Sequence, residues 1–211
     1  MMNYLNQFLQ LICCTDVLEV VNPLGNKAVK EITESMAMIR PIKKITLAEP
    51  MKYGLVDFCA GNALTSVLAV YLAKVAWAVA IDKRERKRKW NKVRRFNYLN
   101  ADIVSDIDIT KWNNDNFALI AKPKIFIAVH ACGRLSERVI ELYNECKSAQ
   151  HLIMMPCCED NFKKNNNERG LNNILTKYQL WVYHLAKKCN GYFYFDKYCM
   201  SPKNGIIVAS K

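Results

Sequence analysis

The chain has 211 residues, 51% of them hydrophobic and 24% charged, a composition that suits one globular domain and excludes general disorder. Its 31 Lys and Arg against 19 Asp and Glu leave a formal charge of +12, which points to a polyanionic partner, nucleic acid first. The longest apolar run, Val67 to Ile81, is broken by Lys74 and falls short of a membrane span, and Tyr4 to Leu11 lacks a basic leader. A cytoplasmic protein without a membrane partner is expected. The 9 cysteines are an odd number, which reads as thiols rather than a disulfide framework, and with no C-x-x-C pair no metal is expected.

In chain order, Asn3 to Leu18 has apolar residues at helical spacing, and Asn22-Pro23-Leu24-Gly25-Asn26 reads as a turn. A second helix is predicted over Lys27 to Ile39, stopped before Pro41. These helices are expected to cap a sheet, giving a helical region over 1–50 and an α/β domain over 51–211. Strands are predicted at Tyr53 to Cys59, Ala76 to Ile81, Arg95 to Leu99, Lys124 to Val129 and His151 to Met155. Between them helices are predicted at Leu64 to Lys74, across the basic segment from Lys83, and at Ser136 to Lys147. A polar loop, Asp160 to Gly170, precedes a long helix over Leu171 to Lys188 closed by Asn190-Gly191. Tyr192 to Tyr198 and Ile206 to Ser210 form a closing hairpin. The fold class is therefore α/β: a Rossmann-like parallel sheet with a C-terminal antiparallel hairpin and an N-terminal helical extension.

Two segments carry chemistry. The first is LVDFCAGNALTS, Leu55 to Ser66, a strand entering a small-residue turn with a helix immediately after it. Gly61 and Ala63 let the backbone approach a ligand, and the helix start offers unpaired N–H groups. Asp82, 21 residues after Gly61 at the tip of the second strand, is placed to accept hydrogen bonds from the ribose hydroxyls of a nucleoside cofactor. A nicotinamide fingerprint G-x-G-x-x-G aligned on Gly61 would put Cys59 first and Leu64 third, so two of its glycines are missing. Asp57, Cys59, Gly61 and Ala63 fit D-x-C/G-x-G-x-G/A instead.

At these residues the sequence resembles the class I S-adenosylmethionine-dependent methyltransferases. The resemblance implies S-adenosylmethionine as cofactor. Asp57 would organise the loop facing its methionine part, and Phe58, Cys59, Ala60, Gly61, Asn62, Ala63, Lys83 and Ile103 would surround it. It also implies Asp102, after the third strand, near the adenine amine.

The second segment is FIAVHACGRLS, Phe126 to Ser136, followed by MMPCCED, Met154 to Asp160. The pairing of V-H-A-C-G with P-C-C resembles a less-studied methyltransferase family that includes relatives of tRNA-methylating enzymes, over roughly residues 25 to 160. It implies a methyl-transfer site shaped by His130 to Gly133 and Cys157 to Glu159. His130 could act as a base, position a group, or satisfy a carbonyl at a strand end. Cys132 and Cys157 could act covalently or serve as small apolar residues, and Glu159-Asp160 could face the cofactor pocket or cap a helix.

Between these segments Lys83 to Arg95 reads KRERKRKWNKVRR, 9 basic residues against 1 Glu. Lys83, Arg84, Arg86, Lys87, Arg88, Lys89, Lys92, Arg94 and Arg95 are the candidate phosphate contacts, with Trp90, Phe96 and Tyr98 as candidate base-stacking rings. The expected function is methylation of RNA, tRNA or rRNA. A protein or small-molecule methyltransferase, a non-catalytic RNA-binding module, a nicotinamide oxidoreductase and a partner subunit completing the site stay open as alternatives.

Overall fold

In the computed structural model, which describes residues 3–23, 25–108, 122–159, 162, 171 and 174–211, five strands pair in parallel. They are β1 (Gly54–Phe58), β2 (Trp77–Asp82), β3 (Phe96–Asn100), β4 (Lys124–Val129) and β5 (Ala149–Met155). The closing hairpin, β6 (Tyr192–Phe195) and β7 (Gly205–Ser210), adds β7 antiparallel to β5, giving the order β3-β2-β1-β4-β5-β7-β6. The chain works outward from β1 to β3, then returns to the other side of β1 with β4. That reversal opens a crevice beyond the carboxyl ends of β1 and β4, where open α/β sheets bind ligands.

Alternating residues of the central strands feed two cores. Leu55, Ile125, Ile127, Ile153 and Ile206 face one layer, made of α1 (Tyr4–Leu9), α2 (Cys14–Val21), α3 (Ala28–Ala48) and α4 (Leu64–Leu72). Val56, Phe126, Leu152, Met154 and Ile207 face the other, made of α5 (Arg134–Glu145) and α6 (Lys177–Lys188). Burial on both faces explains why these strands read as continuous apolar runs. The fold is the α/β, Rossmann-like sheet with an antiparallel end and N-terminal helices that the sequence predicts.

Three predicted elements change. The first helix is two, parted at residues 10–13, with the Asn3 side chain accepting from Asn6 N at 2.8 Å to cap α1. The second does not stop before Pro41 but runs through it to Ala48. Ile39, Pro41 and Ile42 are all buried there, and that packing outweighs the lost backbone hydrogen bond. The basic segment is not a helix: only Trp90–Lys92 make a single 3-10 turn. Six like charges within Lys83 to Lys89 would repel along any helical face, while the side chains find partners elsewhere. The last long helix is described from Lys177, where Thr176 and Gln179 form a capping box. Leu24 of the predicted turn, Asp160, and the predicted loop apart from Phe162 lie outside the described residues.

Candidate active site at the carboxyl ends of β1 and β4

Five residues with left-handed backbone converge at the crevice. Cys59 (φ 58°), Gly61 (φ 55°) and Ala63 (φ 56°) form the turn from β1 into α4, and His130 (φ 60°) and Gly133 (φ 52°) the turn after β4. Such conformations cost energy for residues with a Cβ and gather where a loop must present its backbone to something. A Cβ built on Gly61 would meet nothing within 4 Å, so its outer side is open space. The inner side is fastened: Gly61 N donates to Asp82 Oδ2 at 2.8 Å, Ala60 N to Ile81 O at 3.1 Å, and Tyr98 Oη to Gly61 O at 3.2 Å.

Two hollows meet at Cys59, Arg84 and His130. One, of about 420 Å³, is lined by Asp82, Lys83, Asp102, Ile103 and Cys132 besides these three. The other, of about 190 Å³, is lined by Ala60, Gly61 and Asn62 together with Glu31 and Glu34 of α3. Most of the residues chosen from sequence for the cofactor thus share one groove. Phe58 does not line it: its ring is fully buried, 4.9 Å from that of Phe126 in a T-shaped contact. Side chains alternate across a strand, and Phe58 takes the α5–α6 side. Asp57 and Ala63 are likewise buried behind the loop. A larger hollow of about 580 Å³, between α3 and β6, shares no residue with this groove and has none of its left-handed turns.

The two strand-end carboxylates differ sharply. Asp57 Oδ2 accepts from Ser66 Oγ, while Oδ1 is buried with no partner among the described residues. Burial, reinforced by the nearby Asp82 charge and opposed by the Ser66 hydrogen bonds, pushes the Asp57 carboxyl up to about 7. Burial works in the same direction on Asp82. There the hydrogen bonds from the Arg84 and Gly61 amides and the Arg84 guanidinium outweigh it and hold the carboxyl below its ordinary value. Arg84 reaches Asp82 Oδ1 through N at 2.9 Å and Nε at 3.2 Å.

His130 has a partner that sequence reasoning missed. Its Nε2 lies 2.6 Å from Glu34 Oε1, whose side chain is 2% exposed. Neither atom has a well-aligned hydrogen bond, so the contact is a close polar pairing off the ideal angle. A signal was present: Thr33, Glu34 and Ser35 are consecutive polar residues in a helix whose Ile32 and Met36 are core. A buried Glu calls for a partner, but nothing in the sequence names His130.

Cys132 and Cys157 do come together, and Cys158 joins them. Cys132 Sγ is 2.6 Å from Cys157 Sγ, which is 3.3 Å from Cys158 Sγ, which is 3.5 Å from Cys132 Sγ. Burial, then hydrogen bonding to its two neighbours, holds the Cys157 thiol well above the usual thiol range. Burial and the Asp82 charge push Cys59 up to about 12. Such thiols keep their protons at neutral pH and are weak nucleophiles. Glu159 pairs with Lys203 at 2.7 Å.

The basic segment leaves the groove at Lys83 and Arg84. Lys89 and Lys92 both bind Glu19, at 2.7 and 2.6 Å, and Arg95 donates to Val75 O at 2.6 Å. Arg86 and Arg88 are half-buried, whereas Lys83, Lys87 and Arg94 are exposed and make no ion pair among the described residues. Trp90 stacks on Tyr98 with centroids 5.0 Å apart and planes 2° from parallel, so one face of each ring is taken by the protein itself. Among the described residues, no helix is long and apolar enough to cross a membrane.

Residues 27–165 match the model of a family described as a methyltransferase domain. No curated protein matches. Solved structures with a similar course of chain include an uncharacterized protein from Listeria monocytogenes (11% identical, TM-score 0.44, covering 81% of this chain and 66% of that one). Two others are an O-methyltransferase family protein from Burkholderia thailandensis (10%, TM-score 0.48, 99% and 63%) and the B. subtilis tRNA methyltransferase TrmK (11%, TM-score 0.45, 82% and 64%). This chain therefore spans slightly less than two thirds of each of those three.

Proposed function

This chain belongs to the methyltransferase-domain family, and from that premise we propose that it uses S-adenosylmethionine, bound in the β1–β4 groove, to methylate RNA. The carrying observation is the groove itself: left-handed turns at Cys59, Gly61 and His130 beside open space, with Asp82 and Asp102 at its rim. These residues fit a nucleoside bearing a cationic tail. Asp82 and Asp102 supply acceptors for hydroxyl and amine groups, Ile103 and Cys59 supply apolar walls, and the β1–α4 turn leaves room for close backbone approach. In this reading residues 1–50 form a helical cap that lends Glu31 and Glu34 to the site, and 51–211 form the catalytic domain.

When bound, the cofactor supplies an electrophilic methyl group on a positively charged sulfur. The chain's share of the reaction is alignment and exclusion of water, which is most of what such a transfer needs. Glu34 lies against the His130 imidazole at the groove wall, and with both ring nitrogens buried the ring's part is to shape the wall against which the incoming nucleophile is positioned. Cys132 and Leu135 close the wall below β4. RNA as substrate rests on charge: Lys83 lines the groove, and Lys87 and Arg94, the latter just before the amino end of β3, are further exposed cations in a chain of net charge +12.

The test is incubation of the purified chain with methyl-labelled cofactor and, separately, total RNA, total protein and small-molecule extract. Label entering RNA and lost in His130→Ala is expected; label entering only protein or small molecules would move the substrate assignment.

A further inference from the structure

We propose that Cys132, Cys157 and Cys158 form a binding site for a thiophilic divalent cation of the zinc class, with its fourth coordination position open toward the crevice. The proposal concerns this cluster alone and does not depend on the methyl-transfer reading.

Each of the three thiols lies within 4.8 Å of the others. They arrive from two separate loops. Cys132 follows the left-handed His130 after β4, and Cys157 and Cys158 follow Pro156 after β5. Those loops are tied by backbone hydrogen bonds, His130 N to Met155 O at 2.8 Å and Gly133 N to Cys158 O at 3.3 Å, so the three sulfurs belong to a braced frame. Tyr178 braces it from beneath, donating to Pro156 O at 3.0 Å.

Three thiolates are a soft donor set that suits zinc and its relatives and disfavours calcium or magnesium. Around a tetrahedral ion with Zn–S of about 2.3 Å, ligating sulfurs stand roughly 3.8 Å apart. The Cys157–Cys158 and Cys158–Cys132 separations of 3.3 and 3.5 Å are within a few tenths of an ångström of that, and the Cys132–Cys157 pair must open by about 1 Å. Cys132 is on the exposed side, and rotation about its side chain bonds supplies the movement.

A disulfide between Cys132 and Cys157 is the competing use of the same atoms, but it would leave Cys158 aimed at the pair for no purpose. A cation employs all three. Binding is balanced as three thiols and one divalent ion giving a metal tris-thiolate of charge −1 and three protons released to buffer. Three protein ligands are the arrangement that leaves a metal open to one exogenous group. The sequence hides this site because none of the spacings within the chain is C-x-x-C; the third ligand comes from a different loop.

The experiment uses the full chain, tag removed, purified reduced and metal-free, with far-UV circular dichroism confirming the fold. Cobalt(II) is titrated in and followed by its thiolate charge-transfer and ligand-field absorption, then displaced with zinc, and metal content is measured on separated protein. The expected result is one equivalent bound in tetrahedral, sulfur-rich form. Affinity should fall more than tenfold in Cys132→Ser, an exposed position that tolerates the change, and in Cys158→Ser. Cys146→Ser and Cys189→Ser, away from the cluster, should bind as the parent does. Folded protein that takes up no stoichiometric metal overturns the proposal. So does metal binding that survives Cys132→Ser and Cys158→Ser together, or a mass measurement showing Cys132 and Cys157 already joined in protein isolated without added oxidant.

Discussion

Asp57→Asn tests whether the buried strand-end carboxyl is held protonated. Its carboxyl stands at about 7 in the folded chain against an ordinary 3.8, with burial the main cause. Because the folded state binds this proton more tightly than the unfolded chain, the favourable contribution is complete below the unfolded value. It is lost as pH rises from about 4 to about 7. Linkage gives a cost of about 2 kcal/mol at pH 5 and about 4 kcal/mol at pH 8.5, a difference of about 2–3 kcal/mol between the two conditions. Asn keeps an oxygen to accept from Ser66 Oγ and carries no charge, so its own burial cost is the same at both pH values. The gain of Asp57→Asn over the parent should therefore be about 5–10 °C larger in Tm at pH 8.5 than at pH 5. Thermal melts by circular dichroism at the two pH values read this directly. An equal gain at both, or a larger one at pH 5, would refute the assignment of a raised Asp57.

Glu34→Gln replaces the carboxyl group packed against His130 by an amide of the same shape; methyl transfer to RNA should fall about tenfold or more with cofactor affinity within twofold. Steady-state kinetics beside a cofactor titration separates the two, and unchanged turnover would leave Glu34 a purely structural group. Lys87→Ala with Arg94→Ala should lower the salt slope of RNA binding by about 2, whereas Lys89→Ala with Lys92→Ala should lower it less, because those two lysines are already paired with Glu19. Equal slopes for both pairs would contradict that division. Gly61→Val forces a β-branched residue to φ 55° and projects it into the groove, so it should cost about 1–2 kcal/mol of stability and abolish cofactor binding. A folded Gly61→Val that binds normally would place the cofactor elsewhere.

The strands were legible because their runs are short and mostly apolar: Lys124–Val129 matches its predicted span end to end, β1 is one residue shorter at each end, and β2 shifts by one. The turn from β1 into α4 was legible for a related reason, since small residues between a strand and a helix let the backbone turn tightly. What sequence obscured was determined by distant partners. Pro41 reads as a helix stop until the packing around Ile39 and Ile42 is known. The basic segment reads as a helix until Glu19, 70 residues away, is seen to hold Lys89. Phe58 and Gly61 sit three residues apart, yet Phe58 ends β1 on its core face while Gly61 lies beyond the strand in the left-handed turn that borders the groove. Glu34 beside His130 and Cys158 beside Cys132 are tertiary coincidences with no local spacing rule to announce them.

The central claim is a nucleoside-sulfonium cofactor in the β1–β4 groove, and calorimetric titration tests it most directly. S-adenosylmethionine and S-adenosylhomocysteine should each bind one per chain, NADH should not, and Asp82→Ala, which removes the acceptor at the groove rim and frees the Gly61 amide, should abolish binding in protein that remains folded. Folded parent protein that binds neither sulfur compound, or binds them equally well after Asp82→Ala, would contradict the account.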